Sequence, residues 1–127
     1  MKIKGVWVPI ITPFKNGKID YESYKKLIDH YIDIGVDGIM PIGTTGEFPT
    51  IEDDEYFQLV EKTVEFVDSR VPVLPGLGSN YTKEVLDKAD RIANYDIDGI
   101  LSVVPYYNKP DQRGIYNHFS RIAKNMD

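Results

Sequence analysis

Residues 36–39 read VDGI, and residues 97–100 read IDGI. Each motif follows a longer amphipathic segment and opens a short run of apolar residues that ends in turn residues. Two further apolar runs are, like these, nearly continuous in valine, isoleucine and leucine. Such runs are typical of parallel strands that are covered on both faces. The predicted strands are residues 5–12, 38–42, 71–76 and 99–104.

Apolar residues in the intervening segments recur at three- and four-residue spacing, as in residues 24–31. This spacing predicts four amphipathic helices, one after each strand. We expect Asp20 and Thr50 to cap the first two helices, and Gly35 to end the first one. A strand–helix order repeated four times indicates a parallel α/β fold with right-handed crossovers. The internal repeat of two strand–helix pairs favours a (β/α) barrel.

A doubly wound parallel sheet is the rival architecture. Sheets of that kind bind dinucleotides on a glycine-rich loop after the first strand, whereas residues 12–14 here read TPF. Residues 76–78 read GLG, but they lack a third glycine and follow the third run rather than the first. We therefore favour the barrel and expect no cofactor.

The composition limits the possible partners and the location of the chain. Its 127 residues fit one soluble domain, and a net charge of −5 argues against nucleic acid or an anionic membrane as partner. The longest apolar run is far shorter than the roughly 20 residues of a membrane helix, and no signal peptide is recognisable, so we expect a cytoplasmic location. There is no cysteine, and His30 and His118 stand alone, so we expect no metal site.

Ligands of parallel α/β folds bind beyond the carboxyl ends of the strands. Residues 43–47, GTTGE, follow the second predicted strand, and the hydroxyls of Thr44 and Thr45 could hold a carboxylate there. The same hydroxyls could instead form side-chain turns or a helix cap. Residues 105–110, PYYNKP, follow the fourth strand, where tyrosines could relay protons or form a subunit contact. Residues 76–80 fit a turn followed by a helix cap.

Three segments together resemble the dihydrodipicolinate synthase and N-acetylneuraminate lyase family. They are PIITPF at 9–14, GTTGE at 43–47 and YYNKP at 106–110. The tyrosine pair followed by NKP is more similar to the synthase branch, and the resemblance covers the whole chain. It implies a (β/α)8 TIM barrel, and a lyase that condenses pyruvate with aspartate semialdehyde through a lysine Schiff base in lysine and diaminopimelate biosynthesis.

The resemblance also implies roles for individual residues. Thr45 would bind the carboxylate of pyruvate, and Thr44 would link two tyrosine hydroxyls in a proton relay. Tyr107 would be the relay tyrosine that reaches into the site of the neighbouring subunit. Thr44 and Tyr107 are therefore the expected catalytic residues, and Thr45 is the expected substrate-binding residue.

A complete barrel of this type needs about 250 residues, so residues 1–127 are expected to be its N-terminal half. The resemblance places the Schiff-base lysine on strand six and a second relay tyrosine on strand five, outside this sequence. Lys109 is the only lysine at the predicted barrel mouth, and its wet loop disfavours a nucleophilic role. We therefore expect the chain to be inactive alone and to associate with itself or with the missing half.

Two alternatives to a synthase half remain. The chain could be a self-associating half-barrel without catalysis, or half of a related aldolase such as a sialic acid or keto-deoxy-sugar acid lyase. The observation that separates the first alternative from an enzyme is a companion chain that carries strands five to eight.

Many synthases that the sequence resembles are inhibited by lysine at a subunit interface. The residues that match this pocket are Asn80, Glu84 and Tyr106. The residues that replace its usual small and histidine side chains are Phe48, Pro49, Asp53 and Tyr56. We expect weak lysine binding or none.

Overall fold

The computed structural model describes residues 3–126. In chain order its elements are β1 (Trp7–Pro9), β2 (Phe14–Lys15), β3 (Lys18–Ile19), α1 (Tyr21–Asp33), β4 (Gly38–Met40), a 3-10 turn (Phe48–Thr50), α2 (Asp53–Val67), α3 (Thr82–Ile92) and α4 (Gln112–Met126). All four predicted helices are present. None of the helices described is long and apolar enough to cross a membrane.

Four parallel segments lie side by side in the order in which they occur along the chain. β1 pairs with β4, and Val8 stands opposite Ile39. Single parallel bridges then join Ile39 to Val73 and Gly76 to Leu101. The predicted parallel arrangement is confirmed, with a helix after the second, third and fourth segments and, after the first, a hairpin followed by α1.

The third and fourth predicted strands are shorter than we expected. Pro72 and Pro75 lie in the third segment, and proline has no N–H with which to continue a ladder of hydrogen bonds. The fourth segment is joined to the third mainly through Leu101, whose N–H donates to the carbonyl of Pro75 at 2.9 Å. The apolar runs therefore gave the positions of these segments correctly and overstated the length of regular strand.

A short antiparallel hairpin of β2 and β3 was not predicted. Phe14 pairs with Ile19, and the turn between the two strands consists of Asn16 and Gly17, at φ angles of 53° and 74°. An Asn-Gly pair with both φ angles positive is the preferred two-residue hairpin turn. The sequence signal was present, and the hairpin leads directly into the start of α1.

Two of the three predicted helix boundaries are confirmed. The carboxylate of Asp20 accepts a hydrogen bond from the Ser23 N–H at 3.1 Å, and Gly35 follows the end of α1 at a φ of 86°. The Thr50 cap was wrong, because α2 begins only at Asp53. The Thr50 hydroxyl instead donates to the Glu47 carbonyl at 2.9 Å and closes the 3-10 turn.

The helices pack through buried polar contacts as well as apolar ones. Tyr24 of α1 is fully buried, and its hydroxyl lies 2.9 Å from that of Thr63 on α2. His118 of α4 is buried, and its Nδ1 lies 2.9 Å from the Thr82 hydroxyl of α3. Buried tyrosine and histidine side chains need such partners. His118 therefore serves the packing of α4 against α3.

At Gly76 the backbone of the third segment lies directly against the backbone of the second. Gly76 donates its N–H to the Pro41 carbonyl at 2.8 Å. A Cβ atom on Gly76 would lie 2.1 Å from the carbonyl oxygen of Ile42, a separation that no side chain can occupy. By contrast, the nearest atom to a Cβ on Gly43 would be a Leu101 methyl at 3.8 Å. Only glycine therefore lets the two segments come together at position 76.

We expect Gly76→Ala to be destabilising and Gly43→Ala to be tolerated. The added methyl at position 76 must push backbone apart, which costs about 1–3 kcal/mol or more, whereas an ordinary van der Waals contact at position 43 costs under about 1 kcal/mol. Urea denaturation of both variants measures the difference. Equal loss of stability in the two variants would contradict the close-approach argument.

Apolar side chains are exposed along both outer segments. On the first segment Val6 is 63% exposed, and on the fourth Val103 and Val104 are 46% and 41% exposed. A strand edge with apolar side chains and free N–H and C=O groups is a template for pairing with another chain. Full burial of such a side chain is worth about 1.5–3 kcal/mol, and each of these valines forgoes roughly half of that.

We expect the chain to self-associate at micromolar concentration, because pairing of the outer segments removes these groups from water. Light scattering should report at least twice the 14.5 kDa mass of the chain. The double variant Val6→Lys/Val104→Lys should shift the population toward monomer, since edge lysines oppose strand pairing. Ile34→Lys, at an exposed apolar residue just beyond α1, is the matched control. A folded monomer of the unaltered chain would refute this expectation.

Candidate active site

A cleft of about 360 Å³ opens at the carboxyl ends of the parallel segments. Its walls come from three loops, the ones that follow β4, Gly76 and Leu101, together with the 3-10 turn. Ligands of parallel α/β folds bind at this end of the sheet. The cleft is mainly apolar, with the side chains of Thr44, Ser102 and Tyr106 as its polar lining.

The loop after β4 is held in a strained backbone conformation. Ile42 has a φ of 59°, which is unusual for a β-branched residue, and Glu47 has a φ of 60°. Within the loop, Gly46 donates to the Gly43 carbonyl at 3.0 Å, and Glu47 donates to the Thr44 carbonyl at 3.1 Å. Strain of this kind persists where the surroundings fix it, and it clusters at ligand sites. The loop therefore presents Thr44 at the cleft on a fixed backbone.

The hydroxyls of Thr44 and Thr45 are available to a ligand. Both residues are exposed, and within residues 3–126 neither hydroxyl hydrogen-bonds to a protein group. The turn and cap hydrogen bonds that were the alternative are thus not made by either threonine. Thr44 lines the cleft, whereas Thr45 lies outside its lining. Their roles in proton transfer and carboxylate binding stay predictions.

The two tyrosines after the fourth segment are placed differently. Tyr106 lines the cleft beside the loop of Thr44. Tyr107 does not line it; its side chain is 91% exposed, and its φ of 68° puts the residue in the left-handed region. The chain alone therefore brings Thr44 and Tyr106 together but leaves Tyr107 pointing into solvent. The relay role of Tyr107 stays a prediction.

The sequence analysis missed a buried hydroxyl in the cleft. Ser102 lines the cleft, and its Oγ is buried with no hydrogen-bond partner among residues 3–126. A buried polar atom without a partner is costly, and it is satisfied when a ligand or water supplies one. A serine inside an apolar run gave no signal in the sequence, because only the fold shows which way it faces.

A second missed feature is the support behind the cleft. The Tyr56 hydroxyl donates to the Gly76 carbonyl at 3.1 Å, and burial raises the pKa of Tyr56, so it stays a neutral donor. The Thr12 hydroxyl donates to the Gly46 carbonyl at 2.8 Å. These bonds satisfy carbonyls in the glycine loops on both sides of the cleft. Thr12 lies in one of the family-like segments, but the spacing alone did not show its partner.

Two of the three residues that match the lysine pocket, Asn80 and Glu84, already have partners within the chain. Asn80 donates through Nδ2 to Asn108 Oδ1 at 3.2 Å, and Asn108 Nδ2 donates to the Asn80 carbonyl at 3.0 Å. Glu84 accepts from the Ser79 hydroxyl at 2.8 Å and from Lys88 Nζ at 3.0 Å.

In residues 3–126, no group of three histidine, aspartate or glutamate side chains could hold a metal ion.

Comparison with known proteins gives consistent matches across the chain. Residues 2–127 match the sequence model of the dihydrodipicolinate synthetase family. The chain is 54% identical over 124 residues to 4-hydroxy-tetrahydrodipicolinate synthase 2 of Clostridium acetobutylicum, a match that covers 98% of this chain and 43% of that protein.

Solved structures agree with the sequence matches. The crystal structure of dihydrodipicolinate synthase from Aquifex aeolicus has a TM-score of 0.94 at 42% identity, covering 98% of this chain and 43% of that one. Dihydrodipicolinate synthase from Acinetobacter baumannii, complexed with pyruvate, has a TM-score of 0.93 at 36% identity, also covering 98% and 43%. The predicted fold class is confirmed: these residues form the first four β/α units of a TIM barrel and span less than half the length of these relatives. The chain belongs to the dihydrodipicolinate synthetase family.

Proposed function

We propose that residues 1–127 form the N-terminal half of a barrel that condenses pyruvate with aspartate semialdehyde, the reaction of a 4-hydroxy-tetrahydrodipicolinate synthase. The observation that carries this proposal is the cleft itself, which both Thr44 and Tyr106 line at the carboxyl ends of the strands. The names of the relatives favour a synthase over a sialic acid or sugar acid lyase, and one relative was solved with pyruvate bound.

Thr44 fits the middle position of a proton relay. A hydroxyl both donates and accepts, so it can pass a proton between two other hydroxyls. The Thr44 hydroxyl has no protein partner within residues 3–126, and its backbone is fixed by the strained loop. We assign Tyr107 to the proton relay of a neighbouring subunit, because its ring is exposed and does not line the cleft of its own chain. Thr45 would hold the pyruvate carboxylate beside the same loop.

The covalent step needs an amine that this cleft lacks. A Schiff base forms when an unprotonated lysine amine adds to the keto carbon of pyruvate and water leaves. Among the described residues, none of those that line the cleft is a lysine. Lys109, the nearest candidate by sequence, is exposed in the loop at a φ of 47°. The Schiff-base lysine would come from the other half of the barrel.

We expect no covalent pyruvate adduct on the chain alone, because binding a carboxylate does not replace a missing nucleophile. The chain is incubated with pyruvate and borohydride, and its intact mass is then measured. A relative of full length is the positive control. A stoichiometric reduced adduct on one lysine of this chain would overturn the expectation.

Mixing the chain with a polypeptide that carries the remaining four units of a relative should restore turnover. In that complex Thr44→Val should lower kcat by about 100-fold or more, because it removes a proton-transfer group, whereas Lys109→Ala should change it little. Thr50→Val is the matched control, since its hydroxyl bonds only to the Glu47 carbonyl. Equal losses in Thr44→Val and Thr50→Val would contradict the relay.

A non-catalytic, self-associating half-barrel is the second candidate function. The exposed Val6, Val103 and Val104 on the outer segments favour association. If the chain forms a stable homo-oligomer and the complementing half restores no activity, this candidate replaces the first one.

A further inference from the structure

Lys88 on α3 is unlike the other paired lysines of the described chain. Its side chain is only 12% exposed, whereas that of Lys83, one turn earlier, is 62% exposed. Lys88 Nζ lies 2.9 Å from Asp53 Oδ1 and 3.0 Å from Glu84 Oε1. The ammonium group thus bridges a carboxylate at the start of α2 and another on α3. A bridge between two helices constrains packing, which an exposed pair on one helix does not.

Two aromatic rings complete the enclosure of this ammonium group. Lys88 Nζ lies 5.8 Å from the ring centroid of Phe48 and 5.6 Å from that of Tyr56. The two rings meet edge to face, with centroids 6.4 Å apart. A cation near two aromatic rings is attracted by both, and more strongly where water is excluded. Lys88 therefore lies in a cage of two carboxylates and two rings: Asp53, Glu84, Phe48 and Tyr56.

The cage keeps the partly buried amine charged. Burial by itself would lower the pKa of Lys88, but hydrogen bonds to Asp53 and Glu84 outweigh it and raise the pKa above its usual value. A buried ammonium ion is costly unless its hydrogen-bonding capacity is satisfied. This arrangement is consequently a site for a primary ammonium ion, and the chain fills it with its own side chain.

Three members of the cage also hold the walls of the cleft. Phe48 is itself a wall residue. Tyr56 donates to the Gly76 carbonyl at 3.1 Å. Glu84 accepts from the Ser79 hydroxyl at 2.8 Å, and Ser79 Oγ accepts from the Tyr81 N–H at 3.1 Å. The loop after β4 and the loop after Gly76 are therefore both tied to the same ammonium group.

We propose that Lys88 is a positioning residue: its ammonium group fills a partly buried ammonium site and thereby fixes the two loops that face each other across the cleft. Lys88 makes no contact with the reacting atoms of a substrate in this role. The proposal stands on the contacts within α2, α3 and the two loops, so it holds whether or not the proposed synthase activity is correct.

Lys88→Ala with added n-propylammonium tests the proposal on the chain in its native assembly. The substitution removes the three methylene carbons and the nitrogen that n-propylammonium supplies. We expect the variant to melt at a lower temperature, and n-propylammonium to restore the melting temperature with a saturable dose dependence. n-Propanol, which lacks the ammonium group, and sodium chloride, which lacks the propyl group, should not restore the melting temperature.

Lys83→Ala is the matched control, since it removes an exposed lysine paired with Asp87 on the same helix. Neither this variant nor the unaltered chain should respond to n-propylammonium, because their cage is already filled by Lys88. Equal responses of Lys88→Ala and Lys83→Ala, or a response of the unaltered chain as large as that of Lys88→Ala, would overturn the proposal.

Hydrogen exchange separates positioning of the loops from a general loss of stability. Lys88→Met keeps the apolar stem and removes the charge, and Lys83→Met is its control. We expect amides in residues 44–50 and 76–81 to exchange about tenfold faster in Lys88→Met, since the loops lose the cation–π contact with Phe48 and the charge-assisted bond that orients Glu84 toward Ser79. Amides of α1 should be unchanged. Equal exchange rates of these loops in Lys88→Met and Lys83→Met would refute the positioning role. If Lys88→Ala does not fold, this comparison alone tests the proposal.

Discussion

The contact on which the rest of the structure depends is the approach of Gly76 to the backbone of Pro41 and Ile42. The N–H of Gly76 bonds to the Pro41 carbonyl at 2.8 Å, and the Ile42 carbonyl occupies the space of a side chain at position 76. This approach sets the third segment against the second. It also coincides with the left-handed turn at Ile42, from which the GTTGE loop departs. The glycine contact therefore places the threonines as well as the sheet.

The site combines an apolar cleft with polar support that lies behind it. Buried hydroxyls of Thr12 and Tyr56 bind carbonyls of Gly46 and Gly76, and the Lys88 cage holds the outer side of the same loops. Because these polar groups are satisfied within the protein, they do not compete for a ligand. The hydroxyl of Thr44 is left free, and the buried Ser102 Oγ has no partner in the described chain. A ligand thus meets few polar groups, each on a fixed backbone.

The sequence was sufficient for the topology, and less so for the local structure of the site. Apolar runs and helical spacing gave the four parallel segments and all four helices, because burial alone produces those patterns. Strand length was overstated, since Pro72 and Pro75 interrupt hydrogen bonding without breaking the run. The Asn16-Gly17 hairpin carried a clear signal that was overlooked. The resemblance grouped Phe48, Asp53, Tyr56 and Glu84 in one pocket, but only the tertiary fold shows that Lys88 fills it.

The exposed apolar residues mark the places where the described fold is open to further contacts. Val103 and Val104 expose apolar surface to water along the fourth segment. The ring of Tyr107 is also exposed, and the residue has a backbone conformation in the left-handed region. Further strands would cover the first, and a partner surface would cover the second. Val103 also lines the cleft, and none of the described residues that line it is a lysine. Under the proposed synthase activity, the β/α units that complete the sheet would therefore also be the ones to bring a nucleophilic amine to Thr44.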